Sequence, residues 1–392
     1  MSITADNFSN LAKIDWDFFK VKTNHLTHST HPYPAKFIPQ IPHGLISELS
    51  REGDTVGDIF CGSGTTLVES LLLKRNAVGV DANPLACLIS KTKTSRITNE
   101  EVALLLELSI LARQQGEAIS KGNNPTPYVS NAWRPDFPKL NFWFDIFVIE
   151  ELAEIKKLCS DLNTDQTKNL ALVALSSIIV AVSHQDSDTR YVRRNKGIIQ
   201  GDTFKRFARS LELSVLSTKE YSTFIDPSLE CNIVQANLLD SPKIPKLDLM
   251  VCSPPYPNAY SYHLYHMTRM LWLGMDQPKF KREEIGSHRK YSLTGKNAAT
   301  VETFRNEFSH ILMWLSSNLK QGAHACFVIG DSTLKGVRIN NTDLISAAAD
   351  ASGFREVARI SRTMQSSKKS FNPAIGKIKN EDILILENRG NA

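Results

Sequence analysis

Two short stretches carry residues whose types and spacing could do chemistry. The first is Asp58-Ile59-Phe60-Cys61-Gly62-Ser63-Gly64-Thr65-Thr66. Glycines at 62 and 64 let the backbone turn tightly and approach a ligand with no Cβ in the way. A helix that starts there offers free backbone N–H groups. Asp58, at the end of the apolar run TVGDIF, can accept hydrogen bonds from an ammonium group. Asp81 closes the next apolar run, about twenty residues on, where a carboxylate can take both hydroxyls of a ribose. An amino-acid ammonium next to a ribose is the polar outline of S-adenosylmethionine. The second stretch is Ser253-Pro254-Pro255-Tyr256, directly after LDLMVC. Pro254 has no N–H of its own, and its carbonyl together with the Ser253 hydroxyl can accept hydrogen bonds from an amino group. Tyr256 offers a flat face for stacking. An exocyclic base nitrogen is a poor nucleophile because its lone pair is delocalised. Two acceptors aimed at its protons favour the tetrahedral, reactive form.

These elements need a scaffold, and the flanking pattern supplies one. Strand, glycine turn, helix, strand and acidic residue over 55–81 form one βαβ unit. The rhythm resumes with candidate strands at 231–237, 247–253 and 322–330, a helix at 303–319, and an alternating hairpin at 354–363 and 380–388. Residues 144–183 have helical spacing, and 260–274 read as a single helix. HPYPAKFIPQIP (31–42) carries four prolines in twelve residues and is expected to be extended. The fold class expected is a doubly wound, Rossmann-like α/β sheet of about seven strands, the last antiparallel. Residues 1–115 and 226–392 would form its two parts, with a mostly helical insertion at 116–225.

Composition bounds the rest. The chain has 392 residues, is 42% hydrophobic and 22% charged, and carries a net charge of +5. That is ordinary globular composition, and the mild positive balance permits a polyanionic partner. Six cysteines show no C-x-x-C pair, so reduced thiols in a cytoplasmic protein are expected, with no metal site. Neither a secretory signal nor a membrane span is expected. Residues 189–209 hold seven Arg or Lys against one acid, among them Arg190, Arg193 and Arg194. Residues 276–296 hold six against three, including Lys281, Arg282 and Lys296, and 354–379 add seven more. Each cluster suits either phosphate contact or a solvated surface. The polar run 185–191 is equally open: it either reads base edges or ends a helix and pins the insertion.

DIFCGSGTT and SPPY together resemble the S-adenosylmethionine-dependent DNA amino methyltransferases, which act on cytosine N4 or adenine N6. HPYPAKFIPQ resembles the segment that closes over the methionine end of the cofactor in members with this motif order. The resemblance implies cofactor contacts at Lys36, Phe37, Asp58, Phe60, Gly62, Ser63, Gly64, Thr65, Thr66 and Asp81. It makes Ser253, Pro254, Pro255 and Tyr256 the catalytic loop. The acidic residue that often meets the adenine amino group has no counterpart, and Asn237 stands at the best-matching place. Ser-Pro-Pro points to cytosine N4, with adenine N6 or an RNA amino group as the neighbouring alternative and a catalytically silent nucleic-acid-binding subunit as the different-class one. Double-stranded DNA is the implied substrate, bound through Arg190, Arg193, Arg194, Lys281 and Arg282, with a cognate restriction or defence protein as a possible partner.

Overall fold

The structure, a computed structural model, describes residues 5–122, 131–257, 260–293, 298–364 and 380–390. Eleven strands are described: β1 Thr55–Asp58, β2 Asn76–Asp81, β3 Gln185–Ser187, β4 Arg190–Arg193, β5 Cys231–Gln235, β6 Leu247–Cys252, β7 Leu319–Gly330, β8 Ser332–Leu334, β9 Val337–Ile339, β10 Phe354–Thr363 and β11 Asn380–Asn388. Seven of them form one sheet in the order β10-β11-β7-β6-β1-β2-β5. Strands β5, β2, β1, β6 and β7 pair in parallel, while β11 runs antiparallel to both β7 and β10. The doubly wound sheet of seven strands with its final strand reversed is thus present as expected.

Both faces of the sheet are apolar, and the strand sequences show why. Leu249 and Val251 of β6, Cys326 and Val328 of β7, and Ile383 and Ile385 of β11 share one core with Ile41, Leu45, Ile46 and Leu49 of the helix Gln40–Leu49. Their sequence neighbours Met250, Cys252, Ala325, Phe327, Leu384 and Leu386 point the other way. They pack with Phe304, Phe308, Ile311 and Leu315 of the helix Val301–Asn318 and with Ile345 of the helix Asn341–Asp350. Strands covered on two sides lose the alternation of polar and apolar residues and read as near-continuous apolar runs.

Between β2 and β5 the chain is mostly helical, with long helices Asn99–Ser120, Ile146–Ser160, Asp165–Val182 and Asp202–Ser222 sharing a separate core. Asp165–Val182 is long and apolar enough, by length and composition alone, to cross a membrane, a feature the sequence reading passed over. Most of its length is buried against its neighbours, including Leu170, Ala174, Leu175 and Ile179.

Two local expectations need correction. The proline-rich segment does not stay extended to residue 42: a helix begins at Gln40 and holds Pro42 in its first turn. Proline is tolerated there because the N–H it lacks would have had no partner inside the helix. The expected helix 260–274 is broken at His266 into Tyr262–Tyr265 and Met267–Leu273. Residues 185–193 form an antiparallel hairpin, β3 with β4.

Candidate cofactor and base-binding site

A cavity of about 610 Å³ opens at the C-terminal ends of the parallel strands, where open α/β sheets receive ligands. β1 ends at Asp58, and the chain turns through Gly62 and Gly64, at φ +48° and +78°, before the helix Thr65–Leu72. These backbone angles suit glycine. At Gly64 a Cβ would also stand 3.1 Å from Ser90 Cα, so the turn packs directly on the next helix. The Gly62 N–H donates to Asp81 Oδ2 at 2.8 Å, and the Asn83 N–H donates to Asp81 Oδ1 at 2.8 Å. Asp81 is thereby clamped at the end of β2 with lone pairs still available on both oxygens. Burial, only partly offset by those two N–H donors, pushes its carboxyl up to about 6.

Among the residues expected to meet the cofactor, Lys36, Phe37, Phe60, Gly62, Ser63, Thr65, Asp81 and Asn237 line this cavity. Ser253, Pro254, Pro255 and Tyr256 line it as well, so residues about 190 positions apart in sequence share one chamber. Three others do not reach the wall. Asp58 is 1% exposed and accepts from the Phe60 N–H at 3.1 Å, beneath the turn. Burial first, then the neighbouring Asp81, raise it to about 7 against hydrogen bonds from Thr66 and Phe60. Thr66 donates to the Val251 carbonyl of β6 at 3.1 Å, and Gly64 starts the helix. Asp58 and Thr66 therefore brace the turn from below.

Lys36 lines the cavity with its ammonium donated to the His28 carbonyl at 2.7 Å. Asn237 caps the short turn Leu238–Asp240, its Oδ1 accepting from the Leu239 N–H. The Tyr256 hydroxyl donates to the Val328 carbonyl at 3.4 Å and neighbours Ser253, and its ring packs on the core beneath the sheet. Burial raises the Tyr256 phenol far above its usual range.

Several lining residues were not singled out in the sequence. Tyr33 lies against the glycine turn, its Cε1 3.4 Å from where a Gly62 Cβ would sit. Its ring stacks with Tyr262 at 6.0 Å between centroids, and its hydroxyl accepts from Asn83. The tyrosine inside the His-Pro-Tyr-Pro run was the available signal. Glu284 is buried, accepts from the Tyr262 N–H, and pairs with His263 Nδ1 at 2.5 Å. Tyr260 lines the cavity as well, whereas His263 is held behind the wall by Glu284.

The basic clusters are far less free than their sequence density implies. Arg190 and Arg194 both pair with Asp186, and Arg193 lies over the Phe142 ring and donates to the Phe142 carbonyl. The hairpin that carries them is pinned to the core: Gln185 bonds Thr268 and the Tyr265 carbonyl, and Asp188 pairs with buried Arg269. The pinning reading of 185–191 therefore holds. Arg355, Arg359 and Arg362 all pair with acids. Lys281 and Arg282 are exposed on the helix Gln277–Glu283, just before cavity-lining Glu283 and Glu284. Lys296, Lys368, Lys369, Lys377 and Lys379 lie outside the described residues.

S-adenosylmethionine fits this site on features of the chain itself. The Ser63 hydroxyl is buried and has no hydrogen-bond partner among the described residues, yet it lines the cavity beside the glycine turn. A buried polar atom without a partner is costly unless a ligand supplies one. Asp81 carries the acceptors a ribose needs, and Phe60, Tyr33 and Phe37 supply apolar surface for the rest of the molecule.

Comparison with known proteins agrees. Residues 4–92 match a family described as DNA methylase. The chain is 33% identical over 171 residues to the Type II methyltransferase M.MvaI of Kocuria varians, covering 43% of this chain and 37% of that protein. It is 36% identical over 100 residues to the Type II methyltransferase M.MjaII of Methanocaldococcus jannaschii, covering 24% of this chain and 19% of that protein. The alignment to M.BsoBI of Geobacillus stearothermophilus is longer, 23% identical over 304 residues, 67% of this chain and 56% of that protein. The matched regions thus span little more than half of these relatives at most. The stretch that holds the glycine turn thus matches the DNA methylase family, and over part of its length the chain is similar to Type II methyltransferases.

Proposed function

We propose that the protein methylates the N4 amino group of cytosine in double-stranded DNA. The observation that carries this reading is that Ser253-Pro254-Pro255-Tyr256 and Asp81 face one cavity. S-adenosylmethionine supplies an electrophilic methyl group when bound. Asp81 receives the ribose hydroxyls, and Ser63 gains the partner it lacks. Tyr33, Lys36 and Phe37 cover that end of the chamber. A base inside a duplex is out of reach, so the target flips out at a cost of a few kcal/mol. Stacking on Tyr256 offsets part of this, about 1–3 kcal/mol by analogy with other base–aromatic contacts. The Ser253 hydroxyl and Pro254 carbonyl accept from the amino group, and as the nitrogen gains the methyl it would shed one proton to solvent, with the neutral thioether as the leaving group. No covalent bond to the protein is needed, which agrees with six cysteines that are buried or half-buried.

Cytosine rests on Ser253 at the head of the loop. The helical segment between β2 and β5 is assigned to target recognition, and Lys281 and Arg282, beside the cavity mouth, to backbone phosphates. A cytoplasmic setting and a restriction or defence partner belong to the same reading. The test is nucleoside mass spectrometry of DNA after incubation with the protein and S-adenosylmethionine. N4-methylcytosine is expected. N6-methyladenine would replace the substrate while leaving the chemistry, and binding of DNA and cofactor with no methylated nucleoside would indicate a silent binding subunit.

A further inference from the structure

Outside the cavity, the underside of the helix Thr65–Leu72 carries a second constellation. Glu69 is buried, with 3% of its side chain exposed, and three histidines surround it. His28 Nε2 lies 2.7 Å and His25 Nε2 3.6 Å from Glu69 Oε1, while His43 Nδ1 lies 2.8 Å from the other oxygen, Oε2. The histidines come from two separate elements. The short 3-10 turn Leu26–Ser29 sets His25 and His28 three residues apart, a spacing that nearly eclipses side chains in such a turn, and their rings lie 4.9 Å apart. His43 projects from the first turns of the helix Gln40–Leu49.

We propose that His25, His28 and Glu69 bind one divalent transition-metal ion of the zinc class, with His43 orienting the carboxylate from its other oxygen. The ligand atoms of the three lie within 4.8 Å of one another, and among the described residues no other group of His, Cys, Asp and Glu meets that condition. Two imidazoles and one carboxylate are a known zinc ligand set that leaves a fourth position for solvent. His28 is 1% exposed and His25 41%, so the site is closed on the protein side and open on the other, as an entry path requires. The hydrogen bond from His43 to the non-ligating oxygen matches the outer contacts that fix metal-bound carboxylates.

The placement gives the ion a task. Residues 29–42, which carry Tyr33, Lys36 and Phe37, are flanked by His28 and His43, which meet the same glutamate on the helix that follows the glycine turn. Lys36 is bonded to the His28 carbonyl. An ion on Glu69 therefore staples this cover to the turn it overlies. The sequence showed no zinc pattern because the ligands are drawn from positions 25, 28 and 69, and the cysteines are uninvolved.

The test uses the full chain, stripped with a chelator, titrated with Zn²⁺ by calorimetry and with Co²⁺ by visible absorption. One Zn²⁺ per chain at micromolar affinity or tighter, visible Co²⁺ bands of a tetrahedral site, and a rise in melting temperature with Zn²⁺ are expected. His25→Ala removes a ligand from the exposed side, so it keeps the fold and loses at least about 100-fold in affinity; His43→Ala loses about 10-fold, as outer contacts do. Wild-type affinity weaker than about 100 µM, or His25→Ala binding Zn²⁺ as well as wild type, overturns the proposal and leaves the histidines as hydrogen-bond donors to Glu69. Because the readouts are metal affinity, spectrum and melting, the result does not depend on methyl transfer.

Discussion

The two walls of the cavity are built in opposite ways. The wall assigned to the cofactor is built on one short turn, with Ile59, Phe60, Cys61, Gly62, Ser63 and Thr65 lining it and Asp81 accepting from the Gly62 N–H. The wall assigned to the base is mostly side chain, with Tyr256, Tyr260, Tyr262, Glu284 and Asp331 drawn from three distant segments. Recognition by backbone restricts local sequence, because only glycine fits the turn. Recognition by aromatic side chains is set by tertiary packing and leaves little local mark. The glycine turn of the first wall lies within residues 4–92, the stretch that matches the DNA methylase family.

The sharpest way to separate the walls is to damage one without the other. Ser253→Ala should lower turnover by about 10²–10³, by analogy with loss of one oxyanion-hole donor, while cofactor affinity stays as in wild type. Rapid-quench methyl transfer and cofactor calorimetry check the two halves; wild-type turnover in the variant would remove Ser253 from the chemistry. Tyr256→Ala should lower turnover too, with weaker retention of a flipped base.

Asp81→Ala should do the converse. Losing a charged acceptor for two hydroxyls costs on the order of 1.5–3 kcal/mol, about 10- to 150-fold in cofactor affinity. Unchanged calorimetric affinity would take Asp81 out of the ribose site. The same residue predicts a pH effect. Its carboxyl is raised to about 6, so folding favours its protonated form. The stability this contributes to the free protein is present below the ordinary carboxylate range and is lost as pH rises through about 6. Cofactor binding wants the ionised form, so affinity should fall about tenfold from pH 7 to pH 5 in wild type and stay flat in Asp81→Asn.

The smallest effect concerns the surface. Arg190 and Arg194 share Asp186, so neutralising Arg190, Arg193 and Arg194 should flatten the log–log salt dependence of DNA binding by only about 1. Replacing Lys281 and Arg282 should flatten it by about 2 if each meets a phosphate. The reverse order would move the DNA track from the cavity mouth to the β3–β4 hairpin.

Much of the sheet was legible because each strand is buried on both faces and reads as an apolar run, as LDLMVC does. The glycine turn and Ser-Pro-Pro-Tyr were legible because their backbone demands are local. Tyr33 and Glu284 were not: one sits in a proline run whose path depends on the glycine turn beneath it, and the other matters only because it holds His263 and the Tyr262 amide. Charge density misled for the same reason, since the acids that pair with Arg355 and Arg362 lie 32 and 19 residues away. The start of the helix at Gln40 was hidden by reading Pro42 as a breaker when it stands in the first turn.

β11 lies between β7 and β10. During synthesis β7 and β10 are made before residues 380–388, and until then each lacks the neighbour it will bond to. The nascent chain must hold two unpaired strand edges, one of them bearing Cys326, Phe327, Val328 and Ile329, while it waits for its central partner. Those edges are open to pairing with other chains at that stage. Ribosome stalling just before residue 380 should therefore leave a product that clumps or recruits chaperones, even though every residue of both glycine turn and Ser-Pro-Pro-Tyr loop has already been made.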